Sequence, residues 1–456
     1  MRRFLLPLYL LLGACMPVAQ GDMPSRAAVV DSSLPPMKHF AVPRPDRPAA
    51  ANSDVARDFL DLAFTLESGR ELPVFTRFEG PIRLRVTGAP PQTLGSDLRR
   101  LLHRLRTEAG IDIDFSASSD AQITIEAVAR SEIRRDLPQA ACFVVPNVRS
   151  LAEYRGARRT QKVNWTRMRS RDTIAIFLPS DSSPQEVRDC LHEELAQALG
   201  PLNDLYRLPD SVFNDDNVHT VLTGYDMMIL RAYYDPALRS GMTRAQVADR
   251  LPGILARVNP AGQGLPAQRL ARTPRVWIEA IQTALGPGFS ASERRAAAQE
   301  ALKVASAMGW TDHRRGFSHY ALGRVLQGTD PARAQDHFAR ADSYFATGPQ
   351  SELHRAYAAS QLAAFAISRN QPDEALLLLG RHIDTAARYE NAALLATLML
   401  LRAEALELSG RVSEGREVRL DSLGWARYGF GPDWAVRAKL REVSSLNPLK
   451  RSLGRL

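Results

Sequence analysis

Apolar positions along this chain change period several times, and the changes mark its elements. From about Ser53, the residues Val55, Phe59, Leu62 and Leu66 recur on one face of a helix. The run IRLRVTG (82–88) then predicts a strand, and Thr93 to Glu108 a second helix with Leu94, Leu98, Leu101, Leu102 and Leu105 inward and Gly110 as its stop. Four further strands are expected at IDIDF, QITIEAVA, ACFVVP and DTIAIFLP. A third helix opens with Ser183 as N-cap, Pro184 at its first position and Glu186 completing a capping box, and closes at Gly200 with Pro201 behind it. After Met242 the strand pattern ends. Thr243 caps a helix, NPAGQGLP connects, and from about Thr273 the chain reads as alanine- and leucine-rich helices.

On the helix Pro184 to Leu199, stepping about 100° per residue puts Val187, Leu191, Leu195, Ala198 and Leu199 on one apolar arc. Glu193, Glu194 and Gln197 cluster beside it, and a carboxylate there needs a partner or a cleft. His192 is expected about 160° from Glu194, on the solvent side. HExxH fails in its frame because Ala196 replaces the second histidine.

Shifted by one residue, EELAQALGPLN resembles the metzincin pattern HExxHxxGxxH. In that frame Glu193, Gln197 and Asn203 occupy the ligand positions, Glu194 the general-base position and Gly200 the turn. Ser211-Val212-Phe213 resembles the Met-turn with Phe213 in place of methionine, and LTGYDMMILRAYY the helix after it. The resemblance implies a zincin-like fold and argues against zinc, because one carboxylate and two amide oxygens suit a hard ion such as calcium better. Without a metal, Glu194 has no activated water to deprotonate. No resident cofactor is therefore expected, and zinc or calcium belongs to the alternative. The stretch from Ser53 to Met242 also resembles an uncharacterised family of predicted bacterial lipoproteins, on RDFLDLAFTLESGRELPVFTRFEGPIRLRVTG, HEELAQALG, SVFND and LRAYYDPALRSGM.

The expected fold class is an α/β (α+β) zincin-like domain followed by an all-α helical-repeat domain. Its parts are 1–15 signal peptide, 16–52 disordered tether, 53–250 zincin-like domain, 251–272 connector and 273–456 helical domain. In the last, HYALGRVLQGTDPARAQDHFARA, SQLAAFAISRNQPDEALLLL and LLRAEALELSGRVSEGREVRL form three hairpins spaced by about 40 residues, against 34 for the tetratricopeptide repeats they resemble. Gly323, Ala363 and Ala403 take one small contact position and Ala334, Ala375 and Gly415 the other. A plain helical bundle is the alternative.

Composition then adjusts the picture. A length of 456 residues with 45% apolar content supports two or three domains with proper cores. Met-Arg-Arg, an apolar run and Leu12-Gly13-Ala14-Cys15 read as a signal peptide ending in a lipobox, with Cys15 lipidated and Met16 directing the product to the outer membrane, facing the periplasm. That anchor makes the membrane one partner. Cys142 and Cys190 remain, a disulfide in an oxidising compartment or two buried thiols. The acidic and amide residues from Asn203 to Asn217, lacking EF-hand spacing, are expected to cap turns, and His192 and His219 are read as surface or satisfied core histidines. The net charge of +9 comes from scattered arginines, read as a solvated surface. No basic, aromatic-interleaved stripe calls for nucleic acid. The function expected is a non-catalytic binding or scaffolding module taking an envelope protein or peptide through its helical repeats. The alternatives are a metal-dependent hydrolase with a Glu/Gln/Asn ligand set, and a structural spacer.

Overall fold

The computed structural model describes residues 34–40, 46–348 and 350–453. The expected signal peptide and Cys15 lie outside the described residues. No described helix is long and apolar enough to cross a membrane.

The first part is mixed α/β. Its order is α1 (Asn52–Phe64), β1 (Ile82–Gly88), α2 (Leu94–Thr107), β2 (Ile113–Phe115), β3 (Ile123–Val128), α3 (Arg130–Asp136), β4 (Phe143–Pro146), α4 (Leu151–Ala157), β5 (Ile174–Pro179), α5 (Pro184–Leu199), α6 (Gly224–Tyr233) and α7 (Arg244–Val258). The sheet runs β2-β1-β3-β5-β4, parallel except for β4, which pairs antiparallel with β5 at the edge. Alternation along β5 separates its two faces. Ile174, Ile176 and Leu178 enter the core shared with α1, α2, α5 and α6, while Ala175 and Phe177 pack towards Ile133 of α3 and Leu151 of α4. Every residue of this strand is buried, as the unbroken apolar run IAIFLP requires. Helix α7 carries Pro252 within it and continues through the boundary expected at 250, so the connector begins only at Asn259.

The second part is all-helical: α8 (Arg275–Leu285), α9 (Ala291–Ala307), α10 (His313–Leu326), α11 (Pro331–Thr347), α12 (Glu352–Ser368), α13 (Pro372–Leu379), α14 (His382–Arg388), α15 (Ala392–Leu408), α16 (Val412–Phe430), α17 (Asp433–Ser444) and α18 (Pro448–Leu453). The three expected hairpins correspond to α10–α11, α12–α13 and α15–α16, with the short α14 between the last two. At Gly323 an added Cβ would stand 2.8 Å from the Phe338 ring, and at Gly415 2.9 Å from the Ala403 carbonyl. Those two small positions let the helices of their hairpins touch.

From Leu34 onward the chain is one compact unit. Of the stretch expected as a free tether, residues 34–40 contribute to it: the Lys38 amide donates to the Gly424 carbonyl at 3.1 Å, and Phe40 stacks on Trp425 with ring centroids 4.5 Å apart. Apolar Leu34 and Phe40 find helical surface to cover, which a proline-rich composition alone does not reveal.

Candidate functional site: the acidic end of helix α5

Helix α5 forms where its local signals place it. Ser183 Oγ accepts from the Glu186 amide and Pro184 holds the first position. The capping box is only half made, because the Glu186 carboxylate turns instead to Arg130 on α3. Cys190 is disulfide-bonded to Cys142, just before β4, with Cα atoms 5.9 Å apart, which fastens the helix to the sheet edge. The apolar arc of Val187, Leu191, Leu195, Ala198 and Leu199 lies in the sheet core as expected.

The opposite face is also buried. Arg188 donates to the Glu390 carboxylate at 2.9 Å and to its carbonyl, and its guanidinium lies over the rings of Phe40 and Tyr428 at 5.2 and 5.1 Å. Gln185 donates to Asn391 at 3.2 Å and accepts from the Ala393 amide at 2.8 Å. The segment Glu390–Ala393, leading into α15, thus covers the side that single-helix periodicity assigns to solvent. His192 is correspondingly inside, not outside: its Nδ1 accepts from the Leu222 amide at 3.1 Å. Burial, then the charges of Arg188, Arg104 and Arg100, hold its pKa well below the usual histidine range, so the ring is neutral.

At the C-terminal end, Gly200 has no room for a Cβ, which would stand 2.8 Å from the Tyr233 ring. The last carbonyls are satisfied from the protein. Arg171 donates to Gln197 O at 2.6 Å and Ala198 O at 2.7 Å, and Tyr234 Oη to Leu199 O at 2.9 Å. The chain then passes beneath α6. There Asp226 accepts from Ser211 Oγ at 2.5 Å, the Val212 amide at 3.1 Å and the Thr223 amide at 2.8 Å, fixing the turn that holds Phe213 fully buried.

The candidate residues gather here. Glu194, Gln197 and Asn203 are buried and Glu193 is half-buried. Two acids outside the sequence pattern join them: Glu67, whose Oε1 accepts from Gln197 Nε2 at 3.4 Å, and Asp204, hydrogen-bonded to Glu67. Asp215 completes the group electrostatically and accepts from Tyr206 Oη and Gln282 Nε2, each at 3.0 Å. Asn203 donates its amide away, to Asp61 O at 3.1 Å. Glu194 Oε2 and Asp204 Oδ1 are buried with no hydrogen-bond partner.

Five acids so close repel one another. Burial first, then Glu67 and Asp215, push Glu193 up to about 8, and burial with Glu193 and Glu67 holds Glu194 well above the ordinary carboxylate range. Asp204 is raised in the same way, and Glu67 too, although Arg275 works against that. Glu194 therefore holds its proton more tightly than an ordinary carboxyl, because burial and its acidic neighbours disfavour the charge. The donor set, carboxyl and amide oxygens without imidazole or thiolate, fits a hard ion in chemistry and not zinc. Among the described residues no three His, Cys, Asp or Glu side chains are arranged to hold a metal ion.

The helical part grips the loop that follows α5. Tyr206 packs edge-on against Trp277, centroids 5.0 Å apart, and its carbonyl accepts from His313 Nε2 at 2.8 Å. Asp216 pairs with His354 Nε2 at 2.8 Å, and Arg275 donates to Glu67 O at 3.0 Å. Two of the loop's acids, Asp215 and Asp216, thus bond to the helical part, where the sequence suggested local turn caps alone. Asn214 and Asp216 do bond within the loop, to Leu208 O and from the Val218 amide. His219 is a satisfied core histidine, bonded to Pro209 O at 2.9 Å.

Residues 52–253 match the model of a family described as Protein of unknown function (DUF2927). The match begins with α1 and ends within α7, so it covers the α/β part. No curated protein and no solved structure matches the chain.

Proposed function

We propose that this chain is a lipoprotein anchored through Cys15 in the outer membrane and facing the periplasm, in which a zincin-like domain without catalytic zinc and a helical-repeat domain act as one binding or scaffolding module. The observation that carries the reading is the use made of α5. Its two faces are spent on the sheet and on the helical part, through Cys190 in one direction and Arg188 in the other. The element that would carry metal chemistry in a zincin is here the fastening between two halves. The order of strands and helices up to α5, and the glycine and turn after it, support the zincin-like reading of the fold. The helical hairpins α10–α11, α12–α13 and α15–α16 support a repeat-like array, whose partner would be an envelope protein or peptide. The test is Glu194→Gln, which keeps the shape and removes the acid. The biological role of the chain should survive it, and loss of that role on this single change would refute the reading.

A second reading is favoured by the partnerless oxygens of Glu194 and Asp204. Buried polar atoms without partners call for an explanation, and a bound ion is one. Glu193, Gln197 and Asn203 would then be its ligands, Glu194 the general base and Phe213 the residue beneath, in a metal-dependent hydrolase. This reading needs calcium or another hard ion to stabilise the protein against heat, with the gain lost in Glu193→Ala.

A further inference from the structure

Helices α9, α10 and α12 and the loop around Asp216 line an open pocket of about 460 Å³, within the size range of small-ligand sites. Its apolar wall is aromatic. Phe317 and Tyr320 of α10 lie nearly parallel with centroids 6.2 Å apart, and Phe345 of α11 closes one side. Two guanidinium groups line the same cavity. Arg294 spends one nitrogen on the Gly286 carbonyl at 2.5 Å and leaves its buried Nε without a partner. Among the described residues Arg324 donates to Tyr320 Oη alone, at 3.3 Å. Among the described residues neither arginine is ion-paired, although most arginines packed elsewhere in this fold meet a carboxylate. The one acid lining the cavity, Asp216, is already engaged by His354, Asn214 and the Val218 amide. The cavity therefore joins an aromatic wall to two guanidinium groups that have no direct ion pair among the described residues, Arg324 feeling the Glu442 charge only from further off.

We propose that this cavity binds a carboxylate with an apolar body, the carboxylate held by Arg294 and Arg324 and the body lying on Phe317 and Tyr320. Guanidinium matches carboxylate through parallel N–H bonds, and an aromatic wall takes an apolar side chain at little entropic cost. A peptide C-terminus ending in an apolar residue and a free aromatic acid share this chemistry. The inference rests on the reading of the helical part as the binding half.

The test uses the intact chain and a fluorescein-labelled pentapeptide ending in phenylalanine, as the free acid and as the C-terminal amide, with phenylbutyrate as competitor. The free acid should bind, and the amide at least about tenfold more weakly, as expected for a lost charge-assisted hydrogen bond. Arg294→Ala and Arg324→Ala should each weaken the acid about tenfold, the lysine variants less, and Arg295→Ala, whose side chain reaches Thr329, not at all. Binding of phenylbutyrate with none of the peptide would support the site and identify a free acid as its source. Equal binding of acid and amide, or no binding of either acid, would overturn the proposal. Peptide binding indifferent to both arginines would overturn it as well while leaving the binding-module reading intact; that reading fails separately, on Glu194→Gln.

Discussion

The pair formed by Arg188 and Glu390 is where the account can be tested in energetic terms. Both side chains are almost fully buried, at 1% and 8% exposure, and they join residues far apart in sequence across the two parts of the fold. Arg188→Met keeps much of the apolar stem between Phe40 and Tyr428 but leaves the Glu390 carboxylate without its nearest cation. Breaking a buried pair in this way costs about 3–5 kcal/mol. Arg100 and Arg104 also act on Glu390, which places the expected loss at the lower end, about 3 kcal/mol. Glu390→Gln alone should cost less, about 1–2 kcal/mol, since the Arg188 bond to the Glu390 carbonyl survives. With both changes no charge is left unpaired, so the double variant should lose less than the sum, with a coupling of about 2 kcal/mol. Urea unfolding followed by circular dichroism and tryptophan fluorescence measures all four proteins. The two probes should coincide in a single transition, because the halves unfold together. Additive losses, or two separate transitions in the unaltered protein, would refute the claim that α5 locks the halves into one unit.

Other outcomes follow from the same contacts. The Cys142–Cys190 bridge closes a separation of 48 residues, so replacing both cysteines by serine should cost about 4 kcal/mol on loop entropy, read as a lower urea midpoint; no change would mean the bridge restrains nothing. Glu193 titrates near 8 when folded and near its ordinary 4.5 when unfolded, so the stability it lends is full below 4.5 and is lost as pH rises to about 8. Glu193→Gln should flatten that decline in melting temperature between about pH 4.5 and 8, and an unchanged slope would contradict it. His219 and His313, lowered to about 4 by burial first and then by His354, act in the opposite sense: their contribution is full above 6.5 and is lost as pH falls to about 4. His313→Gln should soften the acid limb of the same profile.

Much of the α/β part was legible because its signals are local. Ser183, Pro184, Gly200 and Pro201 bracket α5 within the span they occupy, and the runs at β1, β3 and β5 declare themselves by composition. What escaped the sequence is long-range. The hydrophobic arc of α5 identifies one neighbour, and nothing near His192 announces that Glu390 and Asn391 cover the other side. The arginines misled for the same reason. Read as solvated surface, they include Arg171, Arg188 and Arg314, all fully buried; distant carbonyls hold all three, and the Glu390 carboxylate and the Tyr428 ring hold Arg188, while Arg314 also pairs with nearby Asp312. The site shows both sides of this. Glu193, Glu194, Gln197 and Asn203 follow from one motif, whereas Glu67 and Asp215 come from loops whose approach no periodicity encodes.

The central claim is that α5 serves as a fastening without a zinc ion. Metal content by mass spectrometry tests it most directly, on the form lacking residues 1–15, purified without nickel and dialysed after exposure to zinc, calcium and manganese. The account predicts that no zinc stays with the protein. One zinc per chain, lost in Glu193→Ala, would contradict it and restore Glu194 to catalysis.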